Sequence, residues 1–134
     1  MRSGFLVIDK APGTRSTQCT NLVKRILGGS VRVGHAGTLD STASGILVLL
    51  VGRATRASRF VMMLPKTYLV TARLGSSTDT DDLSGQVIAL GDAGKADEAG
   101  IDRALLSFSG LRDQVPPSFS AVKVKGRRAH SMAR

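Results

Sequence analysis

The chain has no tryptophan, one tyrosine (Tyr68) and one cysteine (Cys19). A lone cysteine excludes an internal disulfide and cannot by itself build a thiolate metal site. Only two histidines are present, His35 and His130, which argues against a histidine metal centre. Long apolar runs are also missing. The longest, Ile46 to Val51, has six residues, far short of the roughly 18–20 that cross a bilayer. Near the N-terminus only Phe5 to Ile8 are apolar before charge returns at Asp9, so no secretory leader is expected. A reducing, cytoplasmic address with no membrane partner is the expectation. Acid is scarce as well: residues 1–60 contain two acids, Asp9 and Asp40, against nine bases.

The 134 residues are 42% hydrophobic, which suits one modest globular domain with a core of Val, Leu, Ile and Ala. The formal net charge is +9, and it is unevenly spread. Residues 61–115 hold eight acids and five bases, whereas residues 116–134 hold five bases and no acid. Basic segments on either side of an acidic one point to a polyanion, with nucleic acid the first candidate. The plainer reading is a basic surface that keeps the protein soluble.

The pattern predicts a short buried strand over Phe5–Ile8 and a turn at 11–14. A helix follows from a Ser16 or Thr17 cap to about Leu27, ended by Gly28 and Gly29. A strand is expected at Val31–Val33, then a small-residue loop over 34–41, then a strand buried on both faces over 45–52. Arg53–Leu64 reads as a helix and Thr67–Leu74 alternates like a strand. An acidic loop over 75–83, a strand at Gln86–Leu90 and an amphipathic helix over 97–108 follow. After Pro116 and Pro117 a basic tail leads into what looks like a new helix at 128–133. The mixture favours an α+β fold: a mixed, mainly antiparallel sheet with flanking helices.

One side chain stands out chemically. Asp40 lies between a glycine-bearing loop and the mouth of the most apolar strand, where a carboxylate is expected to be partly desolvated, in a strongly basic setting that keeps it ionised, as a nucleophile must be. The bland alternative is an Asp that caps a turn through Ser41 and Thr42. His35, in the same loop, can stack or hydrogen-bond. Tyr68 follows Lys66 by two, so on a strand both share a face and offer a stacking plane beside a phosphate contact. Asp79, Asp81 and Asp82 lack the glycine and terminal glutamate of a calcium loop and read as solvated.

Taken in order, these segments resemble the tRNA pseudouridine synthase B (TruB-type) family. Gly4–Lys10 with Pro12, Gly13 and Ser16 is similar to its opening motif. Val33–Asp40 followed by Ala43–Leu47 resembles its catalytic motif. Gly52–Arg56, then Lys66–Tyr68 with Leu74, Gly75, Thr78, Thr80, Asp81 and Gly85, match later blocks. Gln114–Lys123 with Gly126, Ala129, Ala133 and Arg134 resembles an insertion typical of the family. The sequence departs from the pattern at Ala11 and Pro12, Arg15, Ser41 and His130.

The resemblance implies isomerisation of uridine to pseudouridine in the tRNA T-loop, at uridine 55, without metal or cofactor. By motif position Asp40 is the essential carboxylate. Tyr68 stacks on the flipped base and His35 contacts RNA beside it; flipping itself is a physical requirement for turning a base over. Arg53, Arg56, Arg59 and, in the tail, Lys123, Lys125, Arg127 and Arg128 are expected to hold RNA phosphates. Segment 114–134 is then a basic insertion that clasps the T-stem-loop. Family members are about twice as long or more. The chain therefore reads as the N-terminal part of a catalytic domain, lacking the Arg that pairs with the Asp and a C-terminal RNA-binding module. Weak or no activity is expected, and unpaired sheet edges favour self-association. The competing reading is a tRNA-binding or tRNA-folding module without chemistry.

Overall fold

The computed structural model describes residues 3–110, 113, 123–124 and 127–128, the last four by backbone alone. The chain divides into two compact units, Met1–Tyr68 and Leu69–Arg134. Helices and antiparallel sheets are combined, so the α+β expectation holds.

The first unit is built on three strands: β1 (Gly4–Lys10), β2 (Val33–His35) and β3 (Gly45–Val51), in the order β1-β3-β2 with both pairings antiparallel. The apolar run thus becomes the central strand, flanked on both edges. Leu47 and Leu49 face helix α1 (Ser16–Ile26), packing with Cys19 while Ile8, Val23 and Leu39 close around them. Residues paired across a ladder point to the same face, so Leu50 and its partner Gly34 share the opposite one. There a 3₁₀ segment, Gly52–Ala57, packs over the sheet, and Thr55 Cγ2 lies 4.0 Å from where a Gly34 Cβ would sit. Burial on both faces holds for the C-terminal half of β3, but Ile46 at its start is exposed.

Several boundaries differ from the sequence reading. Strand β2 begins two residues late and takes in His35. The stretch read as one helix from Arg53 is a 3₁₀ segment followed by the single-turn helix α2 (Ser58–Met62). Lys66 Nζ donates to the Met62 and Leu64 carbonyls and so covers the end of α2, where the helix dipole favours a cation. Segment 67–73 is not a strand. Its alternation is real, but no strand among the described residues hydrogen-bonds to it, and Leu69 is fully exposed.

In the second unit β4 (Ser76–Thr78) pairs antiparallel with β5 (Val87–Leu90), so the predicted loop over 75–83 begins with a strand. Asp82 Oδ1 accepts from Ser84 and Thr80, which lowers the carboxyl below its usual pKa. Asp79 Oδ1 accepts from the Gln86 N–H. These oxygens are occupied in shaping the turn, as a solvated loop requires. Helix α3 (Glu98–Ser107) starts where expected, with Asp97 capping it by accepting from the Gly100 N–H. Further on, β6 (Lys123–Val124) pairs with β7 (Arg127–Arg128). Of the helix expected at 128–133, Arg128 belongs to β7 instead, and the rest lies outside the described residues. No helix among the described residues is long and apolar enough to cross a membrane.

Candidate active site

Asp40 sits on the connection between β2 and β3, and the backbone around it is fixed from three directions. The Ser16 hydroxyl, 3% exposed, donates to the Leu39 carbonyl at 3.0 Å and accepts from the Leu39 N–H at 3.1 Å. On the other side the Gly13 N–H donates to the Ser41 carbonyl at 2.7 Å. The Asp40 carbonyl accepts from the Ala43 N–H at 3.2 Å, closing a turn. Ser16 does not cap α1, contrary to the pattern. It is the first residue of the helix, with Arg15 before it, and its hydroxyl is committed to Leu39. The Gln18 side chain takes over at the helix start by accepting from the Arg15 N–H.

Beneath the loop lies a residue that sequence reasoning passes over. Lys10, at the end of β1, is 1% exposed, and its ammonium donates to the carbonyls of Ala11, Thr14 and Ala43. All three of its donors are thereby used, which removes most of the penalty of burying the charge. The bonds join the turn after β1 to the loop that carries Asp40. The available signal is a lysine closing an apolar strand just before a turn.

The Asp40 carboxylate itself is exposed, not partly desolvated as expected, and makes no hydrogen bond or ion pair among the described residues. Its turn is closed by backbone, so the side chain is not consumed as a cap. A held backbone with a bare carboxylate suits a group that reacts rather than one that only supports.

His35 is half-buried at the end of β2, opposite Leu49, with Nδ1 2.8 Å from the Gly37 carbonyl. A carbonyl can only accept, so Nδ1 donates this bond, and Nε2 has no partner among the described residues. Gly37 has a φ of +118°, and a Cβ there would meet Lys66 Cε at 3.8 Å. Segment 62–66 therefore runs beside the Asp40 loop. Tyr68 stands two residues beyond, 65% exposed and in irregular backbone. The shared strand face predicted for Lys66 and Tyr68 does not form.

Arg53 and Arg56 are exposed on the 3₁₀ segment, where a spacing of three places side chains in line. Arg59 places its guanidinium 4.6 Å from the Phe60 ring centre. Lys123, Arg127 and Arg128 belong to the β6–β7 pair, and Lys125 lies outside the described residues.

Ser16→Ala should cost about 1–3 kcal/mol, because it leaves both polar groups of Leu39 without a partner. Urea unfolding would read this, and the Leu39 amide should exchange at least about tenfold faster, with Ser16→Thr restoring much of the loss. Unchanged exchange would show that the hydroxyl does not hold the loop.

The fold and site together define a class: an α+β unit that presents the bare carboxylate of Asp40 from a braced loop. Residues 24–134 match the model of the TruB family pseudouridylate synthase (N terminal domain). The chain belongs to this family. It is 47% identical over 132 residues to tRNA pseudouridine synthase B of Ruegeria pomeroyi, covering 98% of this chain and 43% of that protein. The protein of the same name from Thermobifida fusca is 44% identical over 134 residues, covering all of this chain and 45% of the relative. The corresponding Gloeobacter violaceus protein is 44% identical over 131 residues, 98% of this chain and 44% of its own length. The chain thus spans less than half the length of these relatives.

Proposed function

We propose that this chain supplies the catalytic carboxylate of a tRNA pseudouridine synthase. It acts on uridine 55 in the T-loop, with the target base turned out of its stack into reach of Asp40. The observation that carries the reading is the combination at Asp40: backbone held by Ser16, Gly13 and Ala43, and side chain left bare. Isomerisation requires the N-glycosidic bond to break, the uracil to turn and a carbon–carbon bond to form. An ionised carboxylate can serve by attacking the sugar or by removing a sugar proton, and both roles need the oxygen unprotonated and uncommitted. The net charge of +9 supports a polyanionic substrate. Tyr68 offers an exposed ring for stacking and His35 an uncommitted Nε2 for RNA.

Among the described residues no cation pairs with Asp40. The isolated chain is therefore expected to turn over slowly. With protein in excess over tRNA tritiated at uridine C5, slow tritium release is expected, lost when cytidine replaces uridine 55. Binding without any release would favour the module that holds tRNA without chemistry. Turnover near that of a full-length relative would refute the slow-chain expectation.

A further inference from the structure

The two ladders of the first unit fix which groups of β1 turn outward. Just beyond β2 the Ala36 N–H donates to the Val48 carbonyl, and the Gly52 N–H donates to the Arg32 carbonyl. In antiparallel pairing, residues that exchange bonds with one neighbour alternate along the strand with residues whose polar groups turn the other way. Val48, Leu50 and Gly52 therefore bond toward β2, and Leu47, Leu49 and Val51 toward β1, where their partners are Ile8, Leu6 and Gly4. The backbone N–H and C=O groups of Phe5, Val7 and Asp9 then point away from β3. No strand among the described residues takes them.

This open edge is also apolar. Phe5 and Val7 are 59% and 62% exposed. Helix α1 lies nearer β2 than β1, which leaves a hollow of about 330 Å³ beside the strand, lined by Phe5, Leu6, Val23, Ile26 and Leu27 among others. The devices that blunt an edge strand are few here. Residues 4–10 contain no proline and no bulge, and Lys10 is buried with its ammonium committed to carbonyls. The one charge left exposed on β1 is Asp9.

The edge complements itself in charge. Asp9 stands near the end of β1, whereas at its start the Arg53 N–H donates to the Ser3 hydroxyl and so brings Arg53 beside Gly4. Neither Asp9 nor Arg53 makes an ion pair among the described residues. A second β1 laid antiparallel sets acid near base at both ends.

We propose that β1 docks a second copy of this chain, antiparallel about a twofold axis at Val7. Val7 is the central one of the three residues that turn outward, so this register uses all of them: Val7 meets the partner's Val7, and Phe5 meets the partner's Asp9. The contact is isologous and closes on itself. It joins two three-stranded sheets into one of six strands. Leu6 and the partner's Ile8 fall on the α1 face, next to the apolar hollow. The two Asp40 loops come to opposite ends of the joined sheet, because each lies at the Lys10 end of its own β1. Pairing therefore blocks neither. The contact is small, on the scale of transient interfaces below about 1,200 Å², and the dimer is expected to separate on dilution.

The test is sedimentation equilibrium of the 134-residue chain from about 1 to 300 µM, the range in which such contacts come apart. Twice the chain mass is expected at the upper end and the single mass at the lower. Val7→Lys sets two ammonium groups face to face at the axis and should weaken association at least about tenfold. Its far-UV spectrum and melt should match the parent's, since Val7 is exposed. Val7→Cys should form a covalent dimer under mild oxidation, because residues paired in this way stand about 5.5 Å apart at Cα, within disulfide reach. Cys19 is buried, so the parent should not cross-link, and Leu69→Cys, at a fully exposed position, should do so far more slowly. A parent chain of single mass throughout overturns the proposal, as does a Val7→Lys chain that associates as tightly as the parent. Cross-linking no faster at residue 7 than at residue 69 overturns the twofold at Val7.

Discussion

Asp40→Asn is expected to leave tRNA affinity within about twofold while pseudouridine formation falls by at least about a thousandfold, the scale on which a single catalytic group is lost. The argument is geometric. The carboxylate is exposed and makes no hydrogen bond among the described residues, so the amide introduces neither a clash nor an orphaned partner. The loop is held through the backbone of residues 39–43, which the substitution does not touch. Stability should therefore change by less than about 0.5 kcal/mol. What disappears is the negative oxygen that either role of Asp40 requires. Single-turnover tritium release paired with filter binding reads both quantities. Retained release in the Asn variant would remove Asp40 from the chemistry, and abolished binding would make it a contact residue instead.

Lys10→Met is expected to have the largest effect on stability. Methionine keeps most of the aliphatic stem but strips the ammonium from the three carbonyls it joins. Hydrogen bonds from a charged donor contribute about 1.5–3 kcal/mol each, and since Ala11 is exposed its carbonyl can turn to water. Two of the three, those of Thr14 and Ala43, belong to separate segments that the ammonium bridges. A total loss of about 3–5 kcal/mol is expected, against the roughly 5–15 kcal/mol that holds a typical domain together. For a unit of this size that lowers the midpoint by more than about 10 °C. Circular dichroism melts measure it directly. A shift of only a degree or two would mean that water replaces the ammonium and that the bridge is dispensable.

Much of the first unit can be read from the residues. The Ile46–Val51 run announces a central strand because few other arrangements bury so many branched side chains in so short a length. Helix α1 follows from the spacing of Cys19, Val23 and their neighbours, and α3 from its amphipathic pattern. The failures have a common physical origin. Alternation over 67–74 specifies two faces but not a neighbour, and a strand exists only through its neighbour's hydrogen bonds. The pattern puts His35 in a loop because it cannot reveal that β3 runs far enough to pair with it. The candidate carboxylate is legible from its setting, whereas its supports are not. Ser16 looks like an ordinary helix cap and Lys10 like a solvated charge until the 39–43 backbone is brought against them. Long-range bonds of that kind leave no periodic trace.

The bracing of the Asp40 loop also bears on how the molecule is made. Lys10 reaches Ala43 across 33 positions, and Ser16 reaches Leu39 across 23. Loops this short close at little entropic cost, and domains take shape from the N-terminus during translation. All the partners that brace the Asp40 loop have left the ribosome once β3 has emerged. The rest of the polypeptide is then added to a platform on which that loop is already set.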